Sequence, residues 1–171
     1  MQRSVFTIGY EGAELDTFLA TLALVGVEHL IDVRDVPVSR KRGFSKSSLA
    51  EALAIAGISY THLKALGDPK AGRDAMKRGD YSGFVSIYSR HIACDDARQA
   101  LTVATNIART SNAVLLCYER SPKQCHRTIV ADELCERAAF EVRHLGVNGG
   151  RQPLVAADPV TASGALTSMS N

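Results

Sequence analysis

Residues 117–127, Cys117-Tyr118-Glu119-Arg120-Ser121-Pro122-Lys123-Gln124-Cys125-His126-Arg127, bring two thiols, an imidazole, a carboxylate and a guanidinium into one short stretch. The apolar run Ala113-Val114-Leu115-Leu116 before it reads as a buried strand. The residues from about Cys125 to Ala138, with Ile129, Val130 and Leu134, read as a helix. The reactive groups therefore lie at a strand-to-helix corner. A helix N-terminus and neighbouring cations lower a thiol pKa, which makes Cys125 the candidate reactive thiol. Cys117, at the end of an apolar strand, suits the role of a small buried hydrophobe, with nucleophile as the alternative. His126 and Glu119 are the candidate acid/base groups. Arg127 adds positive charge where free helix N–H groups already favour anions.

Other polar residues follow other strand-like runs. Gly9, Tyr10, Glu11 and Gly12 follow Val5-Phe6-Thr7-Ile8, and Asp32 and Arg34 end the run beginning at His29. His62 and Lys64 close a third run, and His144 lies near the end of a fifth. In an open parallel sheet, ligands bind outside the carboxyl ends of the strands, so these residues are expected to converge. The candidate catalytic residues are Cys125, His126, Glu119 and Cys117. The candidate substrate-binding residues are Tyr10, Glu11, Asp32, Arg34 and Arg127. Arg34 suits bidentate oxyanion recognition, although an ion pair with Asp32 is an equal alternative.

The elements that must position these groups alternate in type. Leu15, Phe18, Leu19, Leu22 and Val25 recur at helical spacing, with Gly26 as the stop. A second helix starts at Ser48 in a capping-box pattern, or at Ser45, and closes at Gly57. Residues 64 to 81 are polar and rich in glycine, which predicts a long excursion or lid. Helices follow through Phe84–Ile92 and from Asp95 or Asp96 past Ile107. The order predicts a single three-layer α/β domain over residues 4–146, with a mainly parallel sheet of about five strands flanked by helices. Beyond Leu145 the pattern stops, and residues 147–171 read as a flexible tail.

The chain has 171 residues, enough for one core, and carries a formal charge of +2. So small a charge does not by itself imply nucleic-acid binding, but basic residues crowd stretches 34–46 and 64–78. No apolar run approaches a membrane span, and Met1-Gln2-Arg3-Ser4 leads straight into a strand, so a cytoplasmic protein without a membrane partner is expected. Four cysteines without a Cys-x-x-Cys pair suggest neither a disulfide framework nor a structural zinc site of the usual spacing. Cys94 and Cys135 read as structural.

Thr7-Ile8-Gly9-Tyr10-Glu11-Gly12, Leu30-Ile31-Asp32-Val33-Arg34 with Pro37 and Ser39, Ile58–Leu63 with Leu66-Gly67, and Leu115–Glu119 with Cys125-His126-Arg127 together resemble the domain of unknown function 488 family. The ordered motifs run from about Ser4 to Leu145. The resemblance implies a small α/β protein of bacterial or archaeal type and carries no established activity. Leu30–Arg34 is also similar to a rhodanese strand. The phosphatase loop, however, places Arg six residues after its cysteine. Lys123 stands six after Cys117 and Ala131 six after Cys125, so direct transfer of the rhodanese or the tyrosine-phosphatase mechanism is not expected.

Three functions compete at this point. The first is binding, or chemistry by a Cys/His pair, on a small phosphate- or nucleotide-like anion, with no cofactor identified. The second is a nucleic-acid-associated module using loops 34–46 and 64–78. The third is a metal site using Cys117, Cys125 and His126, with Glu119 as an optional further ligand; it is ranked last because coordination geometry cannot be read from this spacing and adjacent Cys125 and His126 are expected to diverge on a helix.

Overall fold

The computed structural model describes residues 3–148 and 151–156. Six strands form one sheet in the order β3-β2-β4-β1-β5-β6. The strands are β1 (Arg3–Gly9), β2 (His29–Asp32), β3 (Ser59–His62), β4 (Ala113–Cys117), β5 (Phe140–Asn148) and β6 (Arg151–Ala156). The first five are mutually parallel, and β6 pairs antiparallel with β5 at one edge. Six α-helices accompany them: α1 (Leu15–Leu24), α2 (Lys46–Ile55), α3 (Lys70–Lys77), α4 (Tyr81–Ile92), α5 (Asp95–Thr110) and α6 (His126–Arg137). The domain is thus an α/β fold with a mainly parallel sheet. Among the described residues, no helix is long and apolar enough to cross a membrane.

Successive strand residues face opposite sides, so each strand feeds two cores. Phe6 and Ile8 of β1, Leu30 of β2 and Val114 and Leu116 of β4 pack with Phe18 and Leu22 of α1 and Leu49 and Leu53 of α2. Val5, Ile31 and Leu115 face the other way, against α4, α5 and α6 through Phe84, Tyr88, Leu101, Ala104 and Val130. Buried on both faces, β4 carries the unbroken apolar run Ala-Val-Leu-Leu expected of a central parallel strand. The same alternation decides the faces of the polar groups beyond the strands. Tyr10 continues the α1/α2 side after Ile8. Cys117, two residues after Leu115, continues the α4–α6 side.

Two expectations change, and one pair of alternatives is decided. Residues 64 to 81 do not form an open excursion. A short 3-10 turn (Lys64–Leu66) and helix α3 occupy them, with Leu66 and Ala75 fully buried. Tyr88 anchors this segment by donating a 2.6 Å hydrogen bond to the Leu66 carbonyl. Helix α2 begins at Lys46, with Ser45 at its N-cap. The Ser45 hydroxyl is directed to Ser39, to whose carbonyl it donates, and so ties the preceding loop together. Lastly, β5 continues to Asn148 and β6 follows it, so the sheet extends into the stretch expected to be a tail. Residues 157–171 of that expected tail lie outside the described residues.

Candidate functional site

The carboxyl ends of β1, β2 and β4 open onto a cleft of about 470 Å³ lined by Tyr10, Arg34, Ser39, Arg40, Lys41, Asp68, Arg73, Cys117, Glu119 and His126, among others. A second cavity of about 490 Å³ shares Asp68, Arg73, Tyr118, Glu119 and His126 with it and extends toward Met76 and Gln124. The residues after separate strands do converge, but they fall into two polar groups on opposite faces of the sheet edge.

On the α1/α2 side, Asp32 is fully buried and grips Arg34 by two bonds, Nε to Oδ1 at 2.8 Å and Nη2 to Oδ2 at 2.6 Å. Arg34 Nη1 donates to the Tyr10 hydroxyl at 3.1 Å and to the Phe44 carbonyl at 2.8 Å. Tyr60 donates to Asp32 Oδ2 at 2.6 Å. The Tyr10 ring stacks on Phe44 with centroids 4.5 Å apart. Burial opposes the charge on Arg34, but the hydrogen bonds and charge of Asp32 outweigh it and raise the guanidinium further above its ordinary pKa. Burial and the bond to Asp32 also push the Tyr60 hydroxyl up. Arg34 therefore borders the cleft, but most of its donors are spent inside the protein.

On the α4–α6 side, Cys117 Sγ donates to Glu119 Oε2 at 2.8 Å, and Cys125 Sγ donates to the same oxygen at 3.1 Å. His126 Nδ1 stands 3.5 Å from Cys117 Sγ, while Nε2 bonds the Val33 carbonyl at 2.7 Å. Tyr88 packs against the His126 ring with centroids 5.3 Å apart. Ligand-type atoms of Cys117, Glu119, Cys125 and His126 all lie within 4.8 Å of one another. Cys125 is the N-cap of α6 and is extended (φ −140°, ψ 137°), whereas His126 is the first helical residue. That change of backbone at the junction lets the neighbours reach one point, against the expectation that they diverge.

The turn between β4 and α6 is held from several directions. Arg127, fully buried, donates to the carbonyls of Glu119 (2.5 Å) and Arg120 (3.2 Å) and to Thr7 Oγ1 (3.3 Å). It fixes the wall of the site, and its guanidinium does not line the cleft. Glu11 accepts from the Arg120 backbone N–H at 2.9 Å and does the same work from the turn after β1. Gly9 must be glycine: a Cβ there would sit 1.8 Å from the Glu119 carbonyl oxygen. Gly67 brings the loop after β3 equally close, with its Cβ position 2.3 Å from the Asp35 nitrogen. His144, placed by the sequence at a strand end, lies within β5, with Nδ1 2.7 Å from Thr7 Oγ1.

Electrostatics revise the assignment of a reactive thiol. Burial pushes Cys117 up, and burial together with the neighbouring Cys117 pushes Cys125 well above the ordinary thiol value. Its place at a helix N-terminus does not overcome this, so both thiols remain protonated at neutral pH in this arrangement. Burial opposes ionisation of Glu119 too, but the hydrogen bond from Cys117, with a further one from Cys125, holds its carboxyl below the ordinary value. For His126, burial disfavours the charged ring, yet contacts with Cys125, the Val33 carbonyl and Glu119 raise it to about 9.

Two cleft residues escaped the sequence reading as site members. Asp68 is buried, its Oδ1 has no hydrogen-bond partner, and burial pushes its carboxyl up to about 6. The signal was present in Leu66-Gly67-Asp68-Pro69, an acid between glycine and proline a few residues beyond β3, but that stretch carries the pattern of an excursion. Tyr118 is 49% exposed and presents its ring edge-on to Tyr10 at 5.3 Å. Its position between Cys117 and Glu119 was the available clue.

No curated protein and no solved structure matches the chain. A family model described as "Domain of unknown function DUF488" matches residues 14–134, more than half of the chain, and includes Asp32, Arg34 and the whole of the Cys117–Arg127 corner. The chain belongs to the domain of unknown function 488 family.

Proposed function

We propose that the protein binds a small anion of the phosphate or nucleotide class at the carboxyl edge of its sheet. The observation that carries this reading is the cleft itself, which runs from Ser39, Arg40 and Lys41 to Cys117, Glu119 and His126. Its volume of about 470 Å³ lies within the range usual for small-molecule sites, about 300–1,000 Å³. Lys41 is paired with Glu14 at 2.7 Å and Arg73 with Asp35 at 2.8 Å. Among the described residues Arg40 has no ion-pair partner, which makes it the first contact for an incoming anion. The half-exposed Tyr118 ring offers a face for a planar base.

Binding ranks above catalysis by a free thiol, because a thiol kept protonated by burial is a poor nucleophile. If the cleft does support a reaction, His126 and Glu119 are the groups placed to move a proton. The nucleic-acid reading gains less support. In stretch 64–78, Lys70 and Lys77 face Asp74 and Arg73 faces Asp35, so much of that charge is internally paired.

A thermal-shift series with inorganic phosphate, nucleoside mono- and diphosphates and a short oligonucleotide tests the proposal. A ligand at about 100 times its Kd adds about 2.7 kcal/mol, an upward Tm shift of about 5–10 °C for a chain of this size. We expect that shift with a mononucleotide or phosphate on the wild type, and a clear reduction with Arg40→Ala and Tyr118→Ala. No shift by any of the small anions at millimolar concentration overturns the proposal. Stabilisation by the oligonucleotide alone, abolished by salt, would transfer it to the nucleic-acid reading.

A further inference from the structure

We propose that Cys117, Glu119, Cys125 and His126 form a four-ligand centre for a zinc-like divalent transition metal. The inference does not depend on the identity of any anion in the cleft. It rests on how four side chains from β4, the following turn and the start of α6 meet at one buried point.

The four ligand groups are near enough to close on one tetrahedral ion with shifts of up to about 1 Å. With metal–sulfur bonds of about 2.3 Å and metal–nitrogen or –oxygen bonds of about 2.0–2.1 Å, ligand atoms sit about 3.3–3.8 Å apart. Cys117 Sγ and His126 Nδ1 are 3.5 Å apart already. The two thiols approach Glu119 Oε2 at 2.8 and 3.1 Å, drawn in by hydrogen bonds, and would open by about 0.4–0.8 Å to take up the bond lengths of a tetrahedral ion. All four groups lie within 4.8 Å of one another.

The support around the ligands is of the right kind. A ligating histidine is generally oriented by a hydrogen bond from its other ring nitrogen. His126 Nε2 makes that bond to the Val33 carbonyl at 2.7 Å, which leaves Nδ1 facing the thiols. Arg127 and Glu11 brace the backbone that carries Glu119 by bonding the Glu119 carbonyl and the Arg120 amide. Two sulfurs and one imidazole select a soft or borderline ion; hard cations such as magnesium and calcium take oxygen sets. The donor set also explains why two thiols share one carboxylate oxygen in a buried setting. Both S–H groups point to the Glu119 oxygen offered to the cation, and binding would release to solvent the two thiol protons together with the proton on the ligating nitrogen of His126. Glu119 is the least buried of the four and borders both cavities. It is therefore the ligand that a water or an anion from the cleft would displace, giving the metal an open position.

The test uses the full chain, reduced and stripped with a chelator, titrated first with Co²⁺ and then with Zn²⁺ in competition with a chromophoric chelator. We expect one ion per chain, a tetrahedral cobalt spectrum and a sulfur-to-cobalt charge-transfer band whose intensity corresponds to two thiolates. Zn²⁺ should displace the cobalt. Cys117→Ser and Cys125→Ser should each lower zinc affinity by more than the about 10- to 100-fold typical of losing an outer-shell partner. Glu119→Gln should keep the thiolate band and weaken binding less. Cys94→Ser and Cys135→Ser should change neither. A folded wild type with no thiolate band overturns the proposal without needing any variant, and so does binding that survives loss of both Cys117 and Cys125. Failure to bind cobalt leaves the anion reading standing, and failure of every anion to shift the Tm leaves the metal reading standing.

Discussion

The two polar groups at the carboxyl edge look alike in sequence and differ in what their atoms still have to do. In the Asp32–Arg34 group, four hydrogen bonds from one guanidinium end on a carboxylate, a hydroxyl and a carbonyl. Tyr60 adds another to Asp32. In the Cys117–His126 group, two thiols compete for a single oxygen, and one imidazole nitrogen faces sulfur. The first group is nearly saturated and works as a joint between β2, the turn after β1 and the loop at Phe44. The second holds donor and acceptor capacity that the fold itself does not use. Density of polar residues therefore marks both places, while unspent bonding capacity marks only one of them as a site.

The largest effect should come from cutting the Asp32–Arg34 group. Asp32→Ala leaves a buried guanidinium without its counter-charge, which typically costs about 3–5 kcal/mol. Urea unfolding should show a loss of that size. A loss below about 1 kcal/mol would mean that Arg34 is free enough to serve a ligand, and the two groups would no longer differ.

A smaller effect should come from Asp68, which belongs with the unspent side. Its carboxyl is raised from 3.8 to about 6, so the folded state prefers the protonated form relative to the unfolded chain. The sign follows: stability is fully present below about pH 4 and is lost as the pH rises through about 6. Asp68→Asn should therefore stabilise the protein by about 1–2 kcal/mol at pH 7 and match the wild type at pH 4. Paired melts at the two pH values would check it, and an equal effect at both would show that packing, not charge, decides.

Cys125→Ser should cost the metal-free protein about 1 kcal/mol, since it exchanges one weak donor to Glu119 for another. The contrast with Asp32→Ala, measured in the same urea series, separates a group that holds the fold from one that the fold only shelters. The smallest change in stability belongs to Arg40→Ala. An exposed side chain without an ion-pair partner should shift unfolding by no more than about 0.5 kcal/mol. If the cleft reading holds, that variant still loses anion-induced stabilisation in the thermal-shift series.

Most of the fold was legible because its signals are local. Val5–Ile8, Leu30–Asp32 and Ala113–Leu116 are apolar runs bounded by turn residues, and α1 shows helical periodicity. Residues 64 to 81 misled because α3 is short and charged on most of its surface; the Leu66 and Ala75 burial that makes it part of the core depends on α4 and α5. The convergence of strand ends was predictable from topology. What Arg127 and Cys125 do was not. Arg127 turns inward because Thr7 and the carbonyls of Glu119 and Arg120 wait there, residues far away in sequence or with backbone groups that leave no side-chain trace. Cys125 owes its raised pKa to burial by neighbours, which outweighs the helix position that sequence alone reveals.

The strand order carries a consequence for how the molecule is made. β4 lies between β1 and β2 and pairs with both, yet it follows them in the chain by some eighty residues or more, as the register Val5↔Ala113 and His29↔Ala113 records. Until β4 has been synthesised, β1 has no strand beside it, and the β2–β3 pair stands apart. Closure of the sheet and assembly of the Cys117–His126 group are then a single late event. A nascent chain stopped before residue 113 holds neither a completed sheet nor any part of that group, so its unpaired strand edges are exposed for the whole of that interval.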